Sequence, residues 1–158
     1  MISLVIGNQR GFSLIEALIA ILLISVGLLA TGLLQIGGIK ANANAGGRTS
    51  GVAVAQSIMD DLRSRPFDDP LLLDTGTNGS GLNDGMATGG GYPTPGNADH
   101  FAGQITAVDG RTYTIFWNIT DGTPMTRTKT LRLFVYWNDQ EFGLNRFVTT
   151  TVLGGNYL

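Results

Sequence analysis

From Phe12 to Ile39 the chain runs for 28 residues, FSLIEALIAILLISVGLLATGLLQIGGI, with no proline and one formal charge, Glu16. A helix needs about 20 apolar residues to cross a bilayer core, so this run is long enough to span. Leu, Ile and Ala dominate it, and apolar side chains fall all round the helix rather than on one stripe. That pattern predicts an embedded helix rather than the half-wet helix of a soluble core. Gly27, Gly32, Gly37 and Gly38 each soften it by about 0.5–1 kcal/mol relative to Ala, and small residues allow close helix–helix approach in membranes. A secretory signal peptide would carry a small-residue cleavage site after its apolar centre. Here a short leader, MISLVIGNQRG, comes first, and the apolar run passes through Gly37-Gly38 directly into Lys40.

The remaining composition excludes several functions. A net charge of -2 leaves no basic excess to neutralise phosphates, so no direct nucleic-acid partner is indicated. The absence of Cys removes disulfides, thiolate metal sites and a Cys nucleophile. His100 is the one histidine, so there is no two-His metal motif, and any Ser-His-Asp site would depend on it alone. His100 has no obvious partner and reads as a surface or packing residue. No grouping of acid, base and nucleophile emerges, so the chain reads as a non-enzyme with no cofactor and no metal. The segment Asp74-Thr75-Gly76-Thr77-Asn78-Gly79 opens somewhat like a calcium loop, but the third position is Gly76 and the twelfth is Gly85, where a carboxylate is needed. A solvated, turn-rich loop is the reading for 74–85. The Gly-rich stretch 89–91 neither follows a strand nor opens a helix, so it is no phosphate cradle.

Arg10-Gly11-Phe12-Ser13-Leu14-Ile15-Glu16, followed by the apolar run, resembles the class III signal of type IV pilins and pseudopilins. The resemblance rests on Gly before the cut, Phe after it and Glu four residues beyond, and it covers roughly residues 9–39. Glu16-Ala17-Leu18-Ile19-Ala20 and the later Ala55-Gln56-Ser57-Ile58-Met59-Asp60-Asp61-Leu62-Arg63-Ser64 resemble PilV-type minor pilins (type IV pilus modification proteins). Minor pseudopilins of type II secretion systems look similar. Two departures point away from a major pilin: Leu33 stands where many have Pro, and there is no Cys pair near the C-terminus.

The resemblance implies a prepilin peptidase that cuts between Gly11 and Phe12 and N-methylates Phe12, with Arg10 holding the leader on the cytoplasmic side. It also implies inner-membrane insertion with a periplasmic head, then a place in the pilus at the cell surface. The implied partners are membrane lipid, other minor and major pilins, and the inner-membrane pilus assembly machinery. The implied role is initiation or assembly of the type IV pilus. The alternatives are a type II secretion pseudopilin and, from a different class, a single-pass anchored enzyme or binding module.

The chemistry of Glu16 can be argued from the residues alone. A carboxylate at the centre of a membrane helix costs about 2.5–3.5 kcal/mol on insertion scales, less near the edge, and calls for a partner. Cleavage after Gly11 would create an α-amine on Phe12 with a reference pKa of about 7.7–8.0, one helical turn from Glu16 and on the same side. That amine, or the amine of a neighbouring subunit, would be matched by the carboxylate, and a subunit at the wrong axial offset would leave a charge unpaired. Otherwise Glu16 merely snorkels to the interface.

The chain divides by sequence into a leader (1–11), an embedded half-helix (12–39), a second half-helix (40–65), a Gly/Pro-rich loop (66–103) and an antiparallel sheet (104–158). Gly46-Gly47 marks a bend. Val52, Ala55, Met59 and Leu62 form a core-facing stripe, and Pro66 ends the helix. If continuous, such a helix would extend ~81 Å at 1.5 Å per residue. The loop carries one helical turn near Leu71–Leu73 and mobile parts. Asp109-Gly110 predicts a two-residue hairpin between Gln104–Val108 and Arg111–Ile119. Asp121-Gly122-Thr123-Pro124 forms the next turn, before Thr128–Trp137 and Asn145–Leu153. Tyr113, Ile115, Trp117, Ile119, Leu131, Leu133, Val135 and Trp137 alternate onto one face. Phe134 and Tyr136 on the other face are a partner surface or aromatics covered by the loop. Arg127, Lys129 and Arg132 read as a small basic patch, solvated or protecting an edge. The expected fold is α+β: a long N-terminal hydrophobic helix packed on a roughly four-stranded antiparallel sheet.

Overall fold

The computed structural model describes residues 11–76, 81–87, 91–139 and 143–155. Arg10 with the rest of the leader, residues 77–80 of the calcium-like segment and most of the Gly-rich stretch lie outside the described residues. One helix, α1 (Leu14–Ser64), precedes three short 3-10 turns (Pro70–Leu72, Gly81–Asn83, Pro95–Asn97). Four strands follow: β1 (His100–Thr106), β2 (Thr112–Asp121), β3 (Thr128–Asp139) and β4 (Gly143–Gly154). They form one antiparallel sheet in chain order, and the fold is α+β. The chain separates into two compact units, Met1–Asn42 and Ala43–Leu158.

In the first unit the large apolar side chains from Leu14 to Ile39 each expose more than half their surface. The helix there is held by its own backbone ladder, with Ser25 and Thr31 hydroxyls donating back to Ile21 and Gly27 carbonyls at 2.8 and 2.9 Å. Such back-bonding leaves no hydroxyl unsatisfied in an apolar medium.

In the second unit α1 becomes one-sided. Ala55, Met59 and Leu62 are buried against Tyr113, Ile115, Trp117 and Ile119 of β2 and Leu131, Leu133, Val135 and Trp137 of β3. Burying a side chain such as Leu62 contributes about 1.5–3 kcal/mol. The helix continues unbroken through Gly46-Gly47, where a bend was expected. At Gly47, and again at Gly51, the missing side chain serves close approach instead. A Cβ on Gly47 would lie 2.9 Å from the Arg111 guanidinium, and one on Gly51 would lie 3.0 Å from the Trp137 ring. Polar contacts hold the same place. Arg111 donates to the Ala43 carbonyl at 2.9 Å and pairs with Asp109 at 3.2 Å and Asp139 at 3.6 Å. The Tyr113 hydroxyl lies 3.2 Å from the Gly47 carbonyl and 3.0 Å from Asp109. Burial opposes charge on Asp109. Hydrogen bonds from the Arg111 N–H, the Tyr113 and Ser50 hydroxyls and the Arg111 guanidinium outweigh it and hold the carboxyl below the usual range.

The other sheet face carries Phe116, Phe134 and Tyr136 beneath Met86, Ala87 and Ala98 of the connector. Phe116 stacks on Phe134 at 4.9 Å, and the Ala87 N–H donates to the Tyr136 hydroxyl at 3.1 Å. Of the two readings for these aromatics, coverage by the loop is the one observed. The connector is tied to the sheet at several points. Trp117 Nε1 donates to the Leu71 carbonyl at 2.9 Å, and Asn118 Nδ2 to the Asp84 carbonyl at 2.9 Å. Asp99 accepts from the Thr75 hydroxyl at 2.7 Å and the Ile119 N–H at 2.8 Å. His100, expected to lack a partner, reaches the Leu73 carbonyl at 2.8 Å and stacks on Trp117 at 5.5 Å.

Three local expectations change. The β1–β2 connection is longer than two residues: Thr106 pairs with Thr112, and the Ala107 N–H donates to the Arg111 carbonyl at 2.9 Å. Gly110 takes a positive φ of 77 but Asp109 does not, whereas a two-residue type I′ turn needs both. Strand β1 starts at His100 rather than 104, because Asp99 and His100 are already held to β2 and the connector. The turn after β2 extends to Arg127, where the Gly122 N–H meets the Thr128 carbonyl at 2.8 Å. The basic patch also dissolves. Lys129 and Arg132 point to opposite faces. Lys129 is buried, donating to the Leu72 carbonyl at 2.6 Å and lying 3.4 Å from Asp121 and 4.9 Å from the Phe67 ring centre. Arg132 donates to Asn83 at 2.6 Å.

Gly51→Leu is expected to cost about 1–3 kcal/mol through overpacking against Trp137. Gly46→Ala, with nothing within 4 Å of its Cβ, is expected to gain about 0.5–1 kcal/mol from helix propensity. Thermal unfolding of the two variants checks both signs. Asp109 contributes stability that is present above the ordinary carboxylate pKa of about 3.9 and fades as pH falls through its lower folded value. Asp109→Asn is expected to remove that acid-side loss, measured as a smaller drop in denaturation midpoint between neutral and strongly acid pH.

Candidate functional site

The candidate site is the start of α1. Gly11, Phe12 and Ser13 lie outside the helix, which begins at Leu14. Ser13 is the cap. The Glu16 N–H donates to the Ser13 hydroxyl at 3.2 Å and to its carbonyl at 3.1 Å, and the Ala17 N–H donates to the same carbonyl at 3.2 Å. These bonds satisfy donors that the first turn of any helix leaves open. Glu16 is the acid of that first turn, where the helix dipole favours negative charge by about 0.3–1 kcal/mol.

The Gly11–Phe12 bond therefore precedes every backbone hydrogen bond of the helix start. A protease can draw it into an extended conformation without unwinding α1. Nothing described lies within 4 Å of a Cβ built on Gly11, and Phe12 is 82% exposed. No described residue thus constrains Gly11, and no demand for glycine there comes from the described fold. Cutting this bond would put a new α-amine on Phe12, the residue before the cap.

Of the sequence-derived residues, the structure brings Gly11, Phe12 and Glu16 together on one short segment. Arg10 lies outside the described residues. Ser13 was missed. Its signal was legible all the same: Ser13-Leu14-Ile15-Glu16 has the S-x-x-E spacing of a capping box ahead of an apolar run. Beyond the site, Asp74 Oδ1 accepts from the Gly76 N–H at 3.0 Å, a local turn within the calcium-like segment.

Ser13→Ala is expected to weaken the first turn by about 0.5–2 kcal/mol. Amide exchange of Glu16 and Ala17 in detergent micelles would report it, with protection beyond Ile24 unchanged.

Residues 6–32 match the family model described as the prokaryotic N-terminal methylation motif. No curated protein and no solved structure matches the chain. The matched segment contains Gly11, Phe12 and Glu16 and runs into a helix long and apolar enough to cross a membrane. This prepilin-type motif supports a place in the type IV pilin-like superfamily and is consistent with prepilin peptidase processing, membrane anchoring and assembly with other pilins.

Proposed function

We propose that the chain is a minor type IV pilin of the PilV type. It is inserted in the inner membrane with its head in the periplasm and cut by prepilin peptidase between Gly11 and Phe12. It is methylated on Phe12 and then takes part in initiating or assembling the pilus as a structural subunit rather than an enzyme. One observation carries this reading: an accessible Gly11–Phe12 bond opens directly into a capped helix whose apolar side chains are uncovered and whose early acid is Glu16. A simple anchor needs the apolar length but neither the glycine nor the acid. The apolar surface from Leu14 to Ile39 needs a covering, first acyl chains and then neighbouring helices. Glu16 supports order in that second setting, because a carboxylate among apolar helices favours the one offset that brings an ammonium to it. His100 supports the non-enzymatic reading, since its ring is held by Leu73 and Trp117.

Intact mass of the chain recovered from membranes is expected to show an N-terminus at Phe12 with one added methyl group; a chain that begins at Met1 or is cut after the apolar run refutes the proposal. Gly11→Leu should leave the leader attached, seen as an unshifted band beside the wild type. Glu16→Ala should still insert in the membrane but co-purify less with sheared filaments. Unchanged incorporation would remove the pairing role.

A further inference from the structure

Among the described residues the sheet ends on two edge strands, β1 and β4, and they differ. Edge strand β1 is irregular, with a register shift between Phe101 and Gly103 and a positive φ of 91 at Gly103. Such a bulge blunts an edge against further pairing. Edge strand β4 has no register shift, and its one positive φ, 70, is at its first residue, Gly143. All 12 of its residues pair with β3 in unbroken register. It contains no proline, and its one charged residue is Arg146. No backbone hydrogen bond joins its outer side to another described residue. Its apolar side chains are also incompletely covered: Phe147, Val148 and Leu153 are partly buried and Val152 is 50% exposed.

The residues of this edge say what fits it. From Phe147 to Leu153 the strand reads Phe-Val-Thr-Thr-Thr-Val-Leu, which is nearly palindromic about Thr150. An antiparallel partner of the same sequence, related by a two-fold axis at Thr150, places Thr150 opposite Thr150 and Thr149 opposite Thr151. Val148 then faces Val152, and Phe147 faces Leu153. Residues directly opposite share a face, so Phe147 and Leu153 extend the face that carries α1, and the valines extend the other. β-branched and aromatic cross-strand pairs are favourable pairings. Arg146 falls opposite Gly154, and the two arginines of such a pair sit eight residues apart, ~26 Å at about 3.3 Å per residue, so no like charges meet. A two-fold interface requires this kind of self-complementary surface.

We propose that β4 is a self-association edge, and that two copies of this chain join through antiparallel β4–β4 pairing centred on Thr150 into a continuous eight-stranded sheet. The inference stands apart from the pilin reading, since it requires neither cleavage at Gly11 nor entry into a filament.

The absence of native Cys makes a direct test possible. Full-length Thr150→Cys chain in membranes, oxidised or treated with a short bismaleimide, is expected to shift to twice the monomer mass. Thr106→Cys on the bulged edge is expected to stay monomeric. Val148→Cys chains should cross-link to co-expressed Val152→Cys chains several-fold more efficiently than to one another, because antiparallel register sets 148 against 152. A Thr150→Cys chain that stays monomeric or joins only a different protein overturns the proposal. So does Val148→Cys pairing best with itself, which indicates parallel or shifted strands.

Discussion

A tryptophan ring lies where a helix side chain would otherwise be. Trp137 of β3 approaches α1 at Gly51, and Arg111 does the same one turn earlier at Gly47. This contact brings helix and sheet close together, and Ala55, Met59 and Leu62 are buried against the sheet along the same helix. Glycine is a poor helix former, so a helix with three glycines between Gly46 and Gly51 depends on tertiary contacts in that stretch. The Arg111, Asp109 and Tyr113 network supplies them by holding helix carbonyls and the sheet's hairpin in one set of hydrogen bonds.

Much of this architecture was legible from residue patterns. Of the stripe Val52, Ala55, Met59 and Leu62, the last three reach the core while Val52 stays half-buried; they and the alternation from Tyr113 to Trp137 were legible because helical and strand periods are set by backbone geometry. Pro66 predicted the helix end for a similarly local reason. What local patterns missed was determined by distant partners. Lys129 looked like part of a solvated patch, yet its ammonium is held by a carbonyl 57 positions away in sequence. His100 looked unattached because Leu73 and Trp117 are close to it only in the folded chain. Gly46-Gly47 looked like a bend because close approach and a helix break have the same composition, and only the opposing arginine distinguishes them. The start of β1 was misplaced because the Asp99 contacts that extend it are likewise non-local.

The helix start was legible for a different reason: its motif lies in consecutive residues rather than in distant contacts. Gly11, Phe12 and Glu16 make few demands on the chain's own fold, so their spacing is preserved in the sequence without interference from packing. Ser13 belongs to the same short segment and begins the hydrogen-bond ladder that carries Glu16.

Beyond Leu71 and Leu72, which join the core on the helix side, the described connector between α1 and β1 plates the sheet face that the helix leaves bare. There Met86, Ala87 and Ala98 are committed to Phe116, Phe134 and Tyr136, while exposed described residues such as Tyr92 stand outside the core. The outward character of such a subunit can therefore be rewritten, by substitution or lengthening along that outer skin, with little effect on the scaffold beneath.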